Sequence, residues 1–496
     1  MMTMIHEKQS WRKFQNDLKK KAARRKLVKS SFRLLLIVPL LIIACYAISL
    51  GLQQNPESLE KPVKKVAAVK KADIPPQPPV SEVVETVVKS PVMSMFGAKN
   101  PLSKQEVRDL IPGKDLTNIT KKSFELKSEG KTLHVDTSID MDLQNFLLRQ
   151  VTIAKKSGRG RPRYLALVAL DPETGKVLSM AGYDHKNPTN NTCLSNDYPA
   201  ASIFKIITAS AAVETCGLSP VSNMNFIGSR YTLYKSQLED NSSKYANTIS
   251  FKDSFAQSIN PVFGKIGSQF LGKESLAKYA SAFGFNHHII FEAALPVSPI
   301  SLSDEPYQLA EIACGFNRRT QISPLHAALL SGTIVNKGQF IEPTIIEQIV
   351  DEDGNIIYSG KQKTTHQAIK PETSYVVKQL MASTITNGTS RKSFQGFMDD
   401  PVLGQLYIGG KTGSIYNNAH NVRFDWFVGF AEEKNGQTKL AVCALVGHEK
   451  YIGTKASYYG RLAMKHYFGN QFAKNKNESN ELMASNREIP QDIRIR

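Results

Sequence analysis

The sequence predicts an α+β fold, in which an antiparallel five-stranded sheet is flanked by helices and preceded by a single transmembrane helix and a linker. Three observations predict it: two apolar, strand-like segments lie early in the chain, three more lie near its end, and a helix-rich stretch over 202–386 separates them. Strands on both sides of a helical block favour one sheet that is assembled from both ends of the chain.

Charge is unevenly distributed along the 496 residues, whose formal net charge is +19. Such an excess suggests an anionic partner, for example nucleic acid, anionic lipid or an acidic polymer. Residues 1–33 hold eleven Lys or Arg against only Glu7 and Asp17, and they directly precede an apolar run. We therefore interpret this segment as a basic cytoplasmic region that contacts lipid, and we do not expect nucleic acid as a partner.

The apolar run Leu34–Leu52 has nineteen residues and no charged side chain. This length can cross a hydrocarbon core of roughly 30 Å, and the basic flank predicts a cytoplasmic N-terminus. A cleaved signal peptide would have an apolar core of roughly 7–15 residues followed by a small-residue cleavage site, which Gly51–Asn55 does not offer. We predict an uncleaved, single-pass anchor in the plasma (inner) membrane, with the rest of the chain periplasmic or otherwise extracytoplasmic.

Beyond the anchor, composition divides the chain into a linker, one domain and a tail. Residues 53–115 are rich in Pro and Lys, which favours an extended tether. The domain is predicted over 116–468. The polar stretch 469–496 is predicted to be a disordered tail.

Within the domain, turn residues and apolar patterns predict the elements in order. A hairpin is expected over 124–135, and Ser138 or Asp140 could cap a helix that runs through Ala154. The five predicted strands of the sheet are 164–170, 176–181, 406–416, 426–431 and 439–446. A closing helix is predicted over 456–467.

The cysteines after the anchor have no CxxC or metal-like spacing, so neither a metal site nor a cofactor is expected. Two interpretations remain open. Cys193 and Cys216 bracket the segment around Ser202 and could pair in an oxidising compartment. Alternatively, all four are small buried apolar residues, namely Cys193, Cys216, Cys314 and Cys443.

Ser202 and Lys205 form an S-x-x-K pattern, which is a weak signal alone because it occurs at four other places in the chain. Here the apolar stretch 206–213 follows, so we predict that Ser202 starts a helix and that Lys205 lies one turn later on the same face. The helix N-terminus stabilises developing negative charge. A lysine among apolar neighbours has a lowered pKa and, once neutral, can accept the proton of the serine.

Two further patterns occur later in the chain. Ser258 and Asn260 form S-x-N, in which the hydroxyl can relay protons and the amide can both donate and accept hydrogen bonds. Lys411, Thr412, Gly413 and Ser414 form K-T-G-S on a glycine-rich strand. Glycines within a strand indicate close approach of another backbone, here an extended peptide, and the lysine and hydroxyls suit a terminal carboxylate.

The three patterns follow one another at intervals of 56 and 153 residues, an order that is similar to that of the penicillin-binding and serine β-lactamase superfamily. The chain resembles a monofunctional, class B-like penicillin-binding D,D-transpeptidase over about 137–468. The stretches that also carry the resemblance are TSIDMDLQ at 137–144, VALDPETGKVLSMAGYD at 168–184, IACGFNRRTQISPLHAALLSGTIVNKG at 312–338, NGTS at 387–390 and WFVGFA at 426–431.

The resemblance implies a role for each residue of the first two patterns. Ser202 would be the acylated nucleophile and Lys205 its base. Ser258 would shuttle the proton, and Asn260 would hold the substrate amide. The substrate would be the D-Ala-D-Ala end of a peptidoglycan stem peptide, cross-linked in cell wall synthesis, and β-lactams would bind at the same site.

For the strand pattern, the resemblance implies that Lys411, Thr412 and Ser414 bind the carboxylate of D-Ala or of a β-lactam. Gly413 would let the peptide lie close, and the backbone N–H groups of Ser202 and Ser414 would form the oxyanion hole. The family more often has threonine where Ser414 stands. Residues 53–115 also leave no room for a glycosyltransferase domain or a full class B pedestal.

Several alternatives remain within the resemblance. A D,D-carboxypeptidase or endopeptidase would use the same motifs, because the acceptor is not encoded in them. A β-lactamase is disfavoured, since no E-x-x-L-N element is present and the class D pattern has valine at the position of Asn260. A non-catalytic β-lactam sensor or scaffold is disfavoured by the intact motifs. The expected partners are stem peptides, β-lactams, the plasma membrane and proteins of the elongation or division machinery.

Overall fold

The computed structural model describes residues 101–487 apart from 112–115, 129, 240–245 and 361–363. The described residues belong to a compact unit, Val92–Arg496. The predicted basic segment 1–33, the predicted anchor 34–52 and linker residues 53–100 lie outside the described residues. Among the helices that are described, none combines the length and apolarity that crossing a membrane requires.

A five-stranded antiparallel sheet forms the centre of the fold, with its strands in the order Leu406–Tyr416, Arg423–Glu433, Lys439–His448, Tyr164–Leu170 and Val177–Asp184. The sheet confirms the predicted fold class. Its strands are β3 (Tyr164–Leu170), β4 (Val177–Asp184), β11 (Leu406–Tyr416), β12 (Arg423–Glu433) and β13 (Lys439–His448).

The two ends of the domain meet where β13 pairs with β3. Both strands are buried on both faces, which is why each is a nearly continuous apolar run, YLALVAL and KLAVCALVGH. Burial on both faces also explains why the sequence located them well. β4 starts one residue later than predicted and runs on to Asp184.

Helices cover both faces of this sheet. The helix bounds are α1 (Lys104–Leu110), α2 (Met141–Lys155), α3 (Lys205–Cys216), α4 (Lys235–Leu238), α5 (Phe251–Ala256), α6 (Asn260–Lys265), α7 (Gly272–Ala282), α8 (Pro306–Cys314), α9 (Pro324–Val335), α10 (Pro371–Thr386) and α11 (Ala456–Arg487). Helix α9 is buried along its whole length and packs on one face of the sheet, whereas α2 and α11 pack on the other face. As predicted, Asp140 caps α2.

Smaller sheets surround the central one. The predicted hairpin, β1 (Ser123–Ser128) and β2 (Lys131–Thr137), belongs to a four-stranded sheet in which β2 pairs with Ile346–Val350 and that strand pairs with Ile356–Ser359. The short strands that the sequence did not predict are β5 (Asn223–Phe226), β6 (Asn247–Ser250), β7 (Gln339–Ile341), β8 (Ile346–Val350), β9 (Ile356–Ser359) and β10 (Thr364–Gln367).

Order begins earlier than the predicted domain boundary at 116. Helix α1 lies within the stretch 53–115 that was predicted to be linker, and its Val107 and Leu110 are buried in the core. Ser103 and Glu106 form a capping box at its start. This S-x-x-E pattern is a helix-start signal in the sequence, so the prediction was wrong in assigning the region by its proline content.

The predicted disordered tail was wrong for 469–487, because helix α11 continues through Arg487. Residues 470–487 contain neither glycine nor proline, and Pro490 is the first proline after them. Polar residues such as Lys, Glu and Gln have good helix propensity, so a polar composition does not by itself indicate disorder. Residues 488–496 lie outside the described part of the chain.

The cysteines in the described residues are free thiols. Cys193, Cys314 and Cys443 are buried, as expected of small apolar residues, and Cys216 is partly exposed. Cys193 and Cys216 therefore do not form a disulfide in this structure.

Candidate active site

Ser202 lies in a 3-10 turn, Ala201–Phe204, that leads directly into α3. The turn is held in an unusual conformation, since Ala201 has a φ of +50°. Strain of this kind is concentrated at functional sites. The indole Nε1 of Trp426 donates a hydrogen bond to the carbonyl of Pro199, 3.0 Å away, and so ties the approach to the turn to strand β12.

Lys205 is fully buried and contacts Ser202 as the helical spacing predicted. Its Nζ lies 2.8 Å from Ser202 Oγ and 2.8 Å from Asn260 Oδ1, and it also donates to the carbonyl of Cys314. Burial lowers the pKa of Lys205 to about 8, because removing the ammonium from water disfavours its charged form. A substantial fraction of Lys205 is therefore neutral near pH 8 and can act as a base.

Ser258 lies between two short helices, α5 and α6, and Asn260 is the first residue of α6. Ser258 has a φ of +57°, and Pro261 follows Asn260 in the first turn of α6. The Asn260 amide is held at both ends: Oδ1 accepts from Lys205, and Nδ2 donates to the carbonyl of Tyr231 at 3.0 Å. One N–H of this amide remains for a ligand.

Lys411 joins the second and third motifs. It is fully buried, and its Nζ lies 2.9 Å from Ser258 Oγ and 2.9 Å from the carbonyl of Thr412. Burial, followed by the nearby charge of Lys205, holds the pKa of Lys411 well below its ordinary value. The three motifs thus form one cluster, in which Asn260 contacts the lysine of the first motif and Ser258 contacts the lysine of the third.

Two glycines allow other elements to approach the Ser202 turn closely. A Cβ at Gly413 would lie 3.2 Å from the backbone nitrogens of Ser202 and Ile203. A Cβ at Gly315, whose φ is +69°, would lie 1.9 Å from the carbonyl oxygen of Ala201. The neighbour of Gly413 is therefore the turn itself, whereas the sequence suggested that this glycine makes room for a bound peptide.

The remaining strand hydroxyls face different partners. Thr412 Oγ1 lies 2.6 Å from Thr389 Oγ1, in the turn that follows α10. Ser414 Oγ donates to Asp425 Oδ1 at 3.1 Å across the β11–β12 pair. The sequence predicted no role for Thr389, although its NGTS stretch is part of the family resemblance. It did not indicate Asp425 either, because the position of Asp425 beside Ser414 depends on strand register.

Asp425 is a buried carboxylate in a positive environment. Its Oδ2 accepts from the backbone N–H of Ala456 at the start of α11, 3.1 Å away, and lies 3.8 Å from His448 Nε2 and 4.0 Å from Lys455 Nζ. Burial alone would raise the pKa of Asp425, but these contacts outweigh it and hold the pKa below its ordinary value. Asp425 is therefore ionised near neutral pH and acts as an acceptor.

This arrangement suits acyl transfer by a serine. It combines a hydroxyl, a buried amine with a lowered pKa, and a second hydroxyl that contacts a second amine. Within the described residues, no group of three or more His, Cys, Asp or Glu is placed to hold a metal ion.

The family model for the penicillin-binding protein transpeptidase domain matches residues 165–465. Among curated relatives, the peptidoglycan D,D-transpeptidase PbpA of Mycolicibacterium smegmatis is 23% identical over an alignment of 363 positions, which covers 65% of this chain and 69% of that protein. Stage V sporulation protein D of Bacillus subtilis is 24% identical, over 60% of this chain and 47% of its own length.

Solved structures have the same fold. PBPA from Mycobacterium tuberculosis aligns with a TM-score of 0.54 at 23% identity, covering 67% of this chain and 80% of that one. An imipenem acyl-enzyme complex of penicillin-binding protein A from M. tuberculosis aligns with a TM-score of 0.55 at 22% identity, covering 67% and 79%.

Proposed function

The chain belongs to the penicillin-binding protein transpeptidase family, and on that premise we propose that it is a peptidoglycan D,D-transpeptidase that forms an acyl-enzyme on Ser202. The observation that carries this proposal is the distance of 2.8 Å between Lys205 Nζ, fully buried, and Ser202 Oγ. Relatives support it: PbpA of two mycobacterial species is named a peptidoglycan D,D-transpeptidase, and penicillin-binding protein A has been solved as an acyl-enzyme.

Acylation begins when neutral Lys205 accepts the proton of Ser202. The serine oxygen attacks the carbonyl carbon of the D-Ala-D-Ala peptide bond, and the backbone N–H groups of Ser202 and Ser414 stabilise the oxyanion. The C–N bond then breaks. Ser258, which contacts Lys411, donates its proton to the departing amine, and the proton that Lys205 took from Ser202 replaces it. D-Ala therefore leaves as a neutral amine, Lys205 is neutral again, and the stem peptide remains as an ester on Ser202.

The second half-reaction transfers the acyl group to an amine of a neighbouring stem peptide. That amine loses a proton as it attacks, and Ser202 regains one as its ester bond breaks, so the enzyme returns to its starting state. Water in place of the amine would give a D,D-carboxypeptidase, the alternative that the motifs leave open.

Labelling with fluorescent penicillin tests the nucleophile. Membranes from cells that express Ser202→Ala should lose the labelled band, because no other hydroxyl lies against Lys205 Nζ among the contacts described. The matched control is Ser275→Ala, which removes the serine of another S-x-x-K copy, in α7, and should label normally. Labelling that persists in Ser202→Ala would reject the assignment.

The acceptor is tested with a pentapeptide substrate and an added amine. We expect release of D-Ala together with a cross-linked product, analysed by mass spectrometry. D-Ala released without any amine adduct would instead support the carboxypeptidase alternative.

We also propose that Leu34–Leu52 anchors the protein in the plasma membrane with the domain extracytoplasmic, where stem peptides are found. Support comes from the nineteen uncharged residues and the basic flank. The anchor and basic segment could also contact proteins of the elongation or division machinery. Protease added to spheroplasts should degrade the domain while a cytoplasmic marker survives; a protected domain would contradict this topology.

A further inference from the structure

We propose that the terminal carboxylate of the donor stem peptide, and that of a β-lactam, is bound by the hydroxyls of Thr389 and Thr412, and that Asp425 withholds the Ser414 hydroxyl from this role. The inference rests on the proposed function, because it assigns residues within the same site. It adds Thr389 as a substrate-binding residue and removes the side chain of Ser414 from the carboxylate site.

The Ser414 hydroxyl has one proton, and that proton is donated to Asp425 Oδ1 at 3.1 Å. The oxygen of Ser414 can then only accept hydrogen bonds. A carboxylate ligand also has no proton to donate, so the two groups cannot form a hydrogen bond with each other. Asp425 is also held ionised by its contacts with Ala456, His448 and Lys455. A ligand carboxylate beside Ser414 would therefore meet an acceptor that lies against a negative charge.

The pair formed by Thr389 and Thr412 has the opposite character. Their Oγ1 atoms are 2.6 Å apart, and Thr389 Oγ1 also donates to the neutral carbonyl of Ala256 at 3.4 Å. That contact is long for an O–H donor, so its proton can be redirected to a ligand. When a carboxylate arrives, both hydroxyls can rotate and each can donate to one of its oxygens. Hydrogen bonds to an ionised acceptor are about twice as strong as neutral ones.

Thr389 is fixed in place by the turn that carries it. The backbone N–H of Thr389 donates to the carbonyl of Ala256 at 3.1 Å, at the end of α5 and two residues before Ser258. The turn can lie this close because residue 388 is glycine: a Cβ there would be 2.3 Å from the carbonyl oxygen of Ala256. Thr389 is exposed, so its hydroxyl is accessible to a ligand.

The test compares acylation by penicillin G with acylation by its methyl ester, which lacks the negative charge. For Thr389→Val, we expect the second-order rate constant for the free acid to fall about tenfold or more, since a charge-assisted hydrogen bond is lost. The rate constant for the ester should change much less. The preference for acid over ester should therefore fall, and Thr389→Ser should restore it.

Controls separate this effect from a loosened fold. Thr386→Val removes a hydroxyl from the same end of α10 that donates to the carbonyl of Ala382 within its own helix. The preference of this variant for the acid should equal that of the wild type. Ser414→Ala should retain the preference. The proposal is overturned if Thr389→Val keeps the wild-type ratio of the rate constants for acid and ester, or if it slows acylation by both substrates equally. It is also overturned if Ser414→Ala abolishes the preference for the acid. Wild-type enzyme that is not acylated at all would instead reject the proposed function.

Discussion

Lys205 and Lys411 are two fully buried lysines in one small site, and the atoms that contact their Nζ groups are hydroxyl, amide and carbonyl oxygens. Buried charges are normally paired with opposite charges, because the desolvation cost is otherwise large. Here the cost appears as lowered pKa values. An ammonium group that loses its proton readily is what a base beside a serine requires.

The pH dependence of acylation should follow Lys205. Burial lowers its pKa from 10.5 to about 8, and the active form is the neutral one, so the acylation rate constant should rise with pH below about 8 and level off above it. Lys205→Arg should lose this rise and slow acylation by about 10²–10⁴-fold, since a guanidinium does not deprotonate. Rapid-quench labelling at several pH values measures both effects.

The matched control is Lys278→Arg, which changes the lysine of the S-x-x-K copy in α7. It should show the wild-type profile. A flat profile in the wild type, or undiminished acylation in Lys205→Arg, would mean that another group removes the serine proton.

At the scale of elements, the long strands of the central sheet could be predicted and the short strands could not. Strand β3 was located to the residue, because burial on both faces produces a continuous apolar run bounded by turn residues. Strand β5 alternates exposed and buried positions over only four residues, and β6 is largely exposed. Patterns this short do not distinguish a strand from a loop.

Helix α1 should contribute to stability although it lies in the segment that was assigned to the linker. Val107→Ala should lower the free energy of unfolding by about 2 kcal/mol, because it removes two buried methyl equivalents and leaves a cavity. Val107 is fully buried. Chemical denaturation measures the change, and Gln105→Ala, on the exposed side of the same helix, should have little effect. Equal stability of both variants would contradict the packing of α1.

At the scale of the whole molecule, the domain depends on segments that are far apart in the chain. The β3–β13 pairing joins residues more than 270 positions apart, such as Leu170 and Ala441. Helix α11 then packs Met464 and Phe468 against the sheet face that α2 also covers. Strand β13 and helix α11 are thus part of the core that supports the sheet carrying Lys411.

Two truncations test this dependence. A chain that ends after Lys455 lacks all of α11, including the backbone N–H of Ala456 that donates to Asp425. This chain should fail to fold or to bind fluorescent penicillin. A chain that ends after Lys474 keeps the α11 side chains that pack in the core, among them Met464 and Phe468, and should retain both thermal stability and labelling. Full labelling of the shorter chain would show that α11 is dispensable.

The sequence by itself determined the fold class, the three motifs and their order, because these depend on local pattern and on residue identity. It also predicted that Lys205 would contact Ser202, since a helical turn brings those positions together. The tertiary structure alone decided which partners the hydroxyls of the third motif contact. Ser414 meets Asp425 through strand register, and Thr412 meets Thr389 through the packing of a distant turn. A side chain's hydrogen-bond partner depends on distances between segments remote in sequence, which motif spacing does not encode.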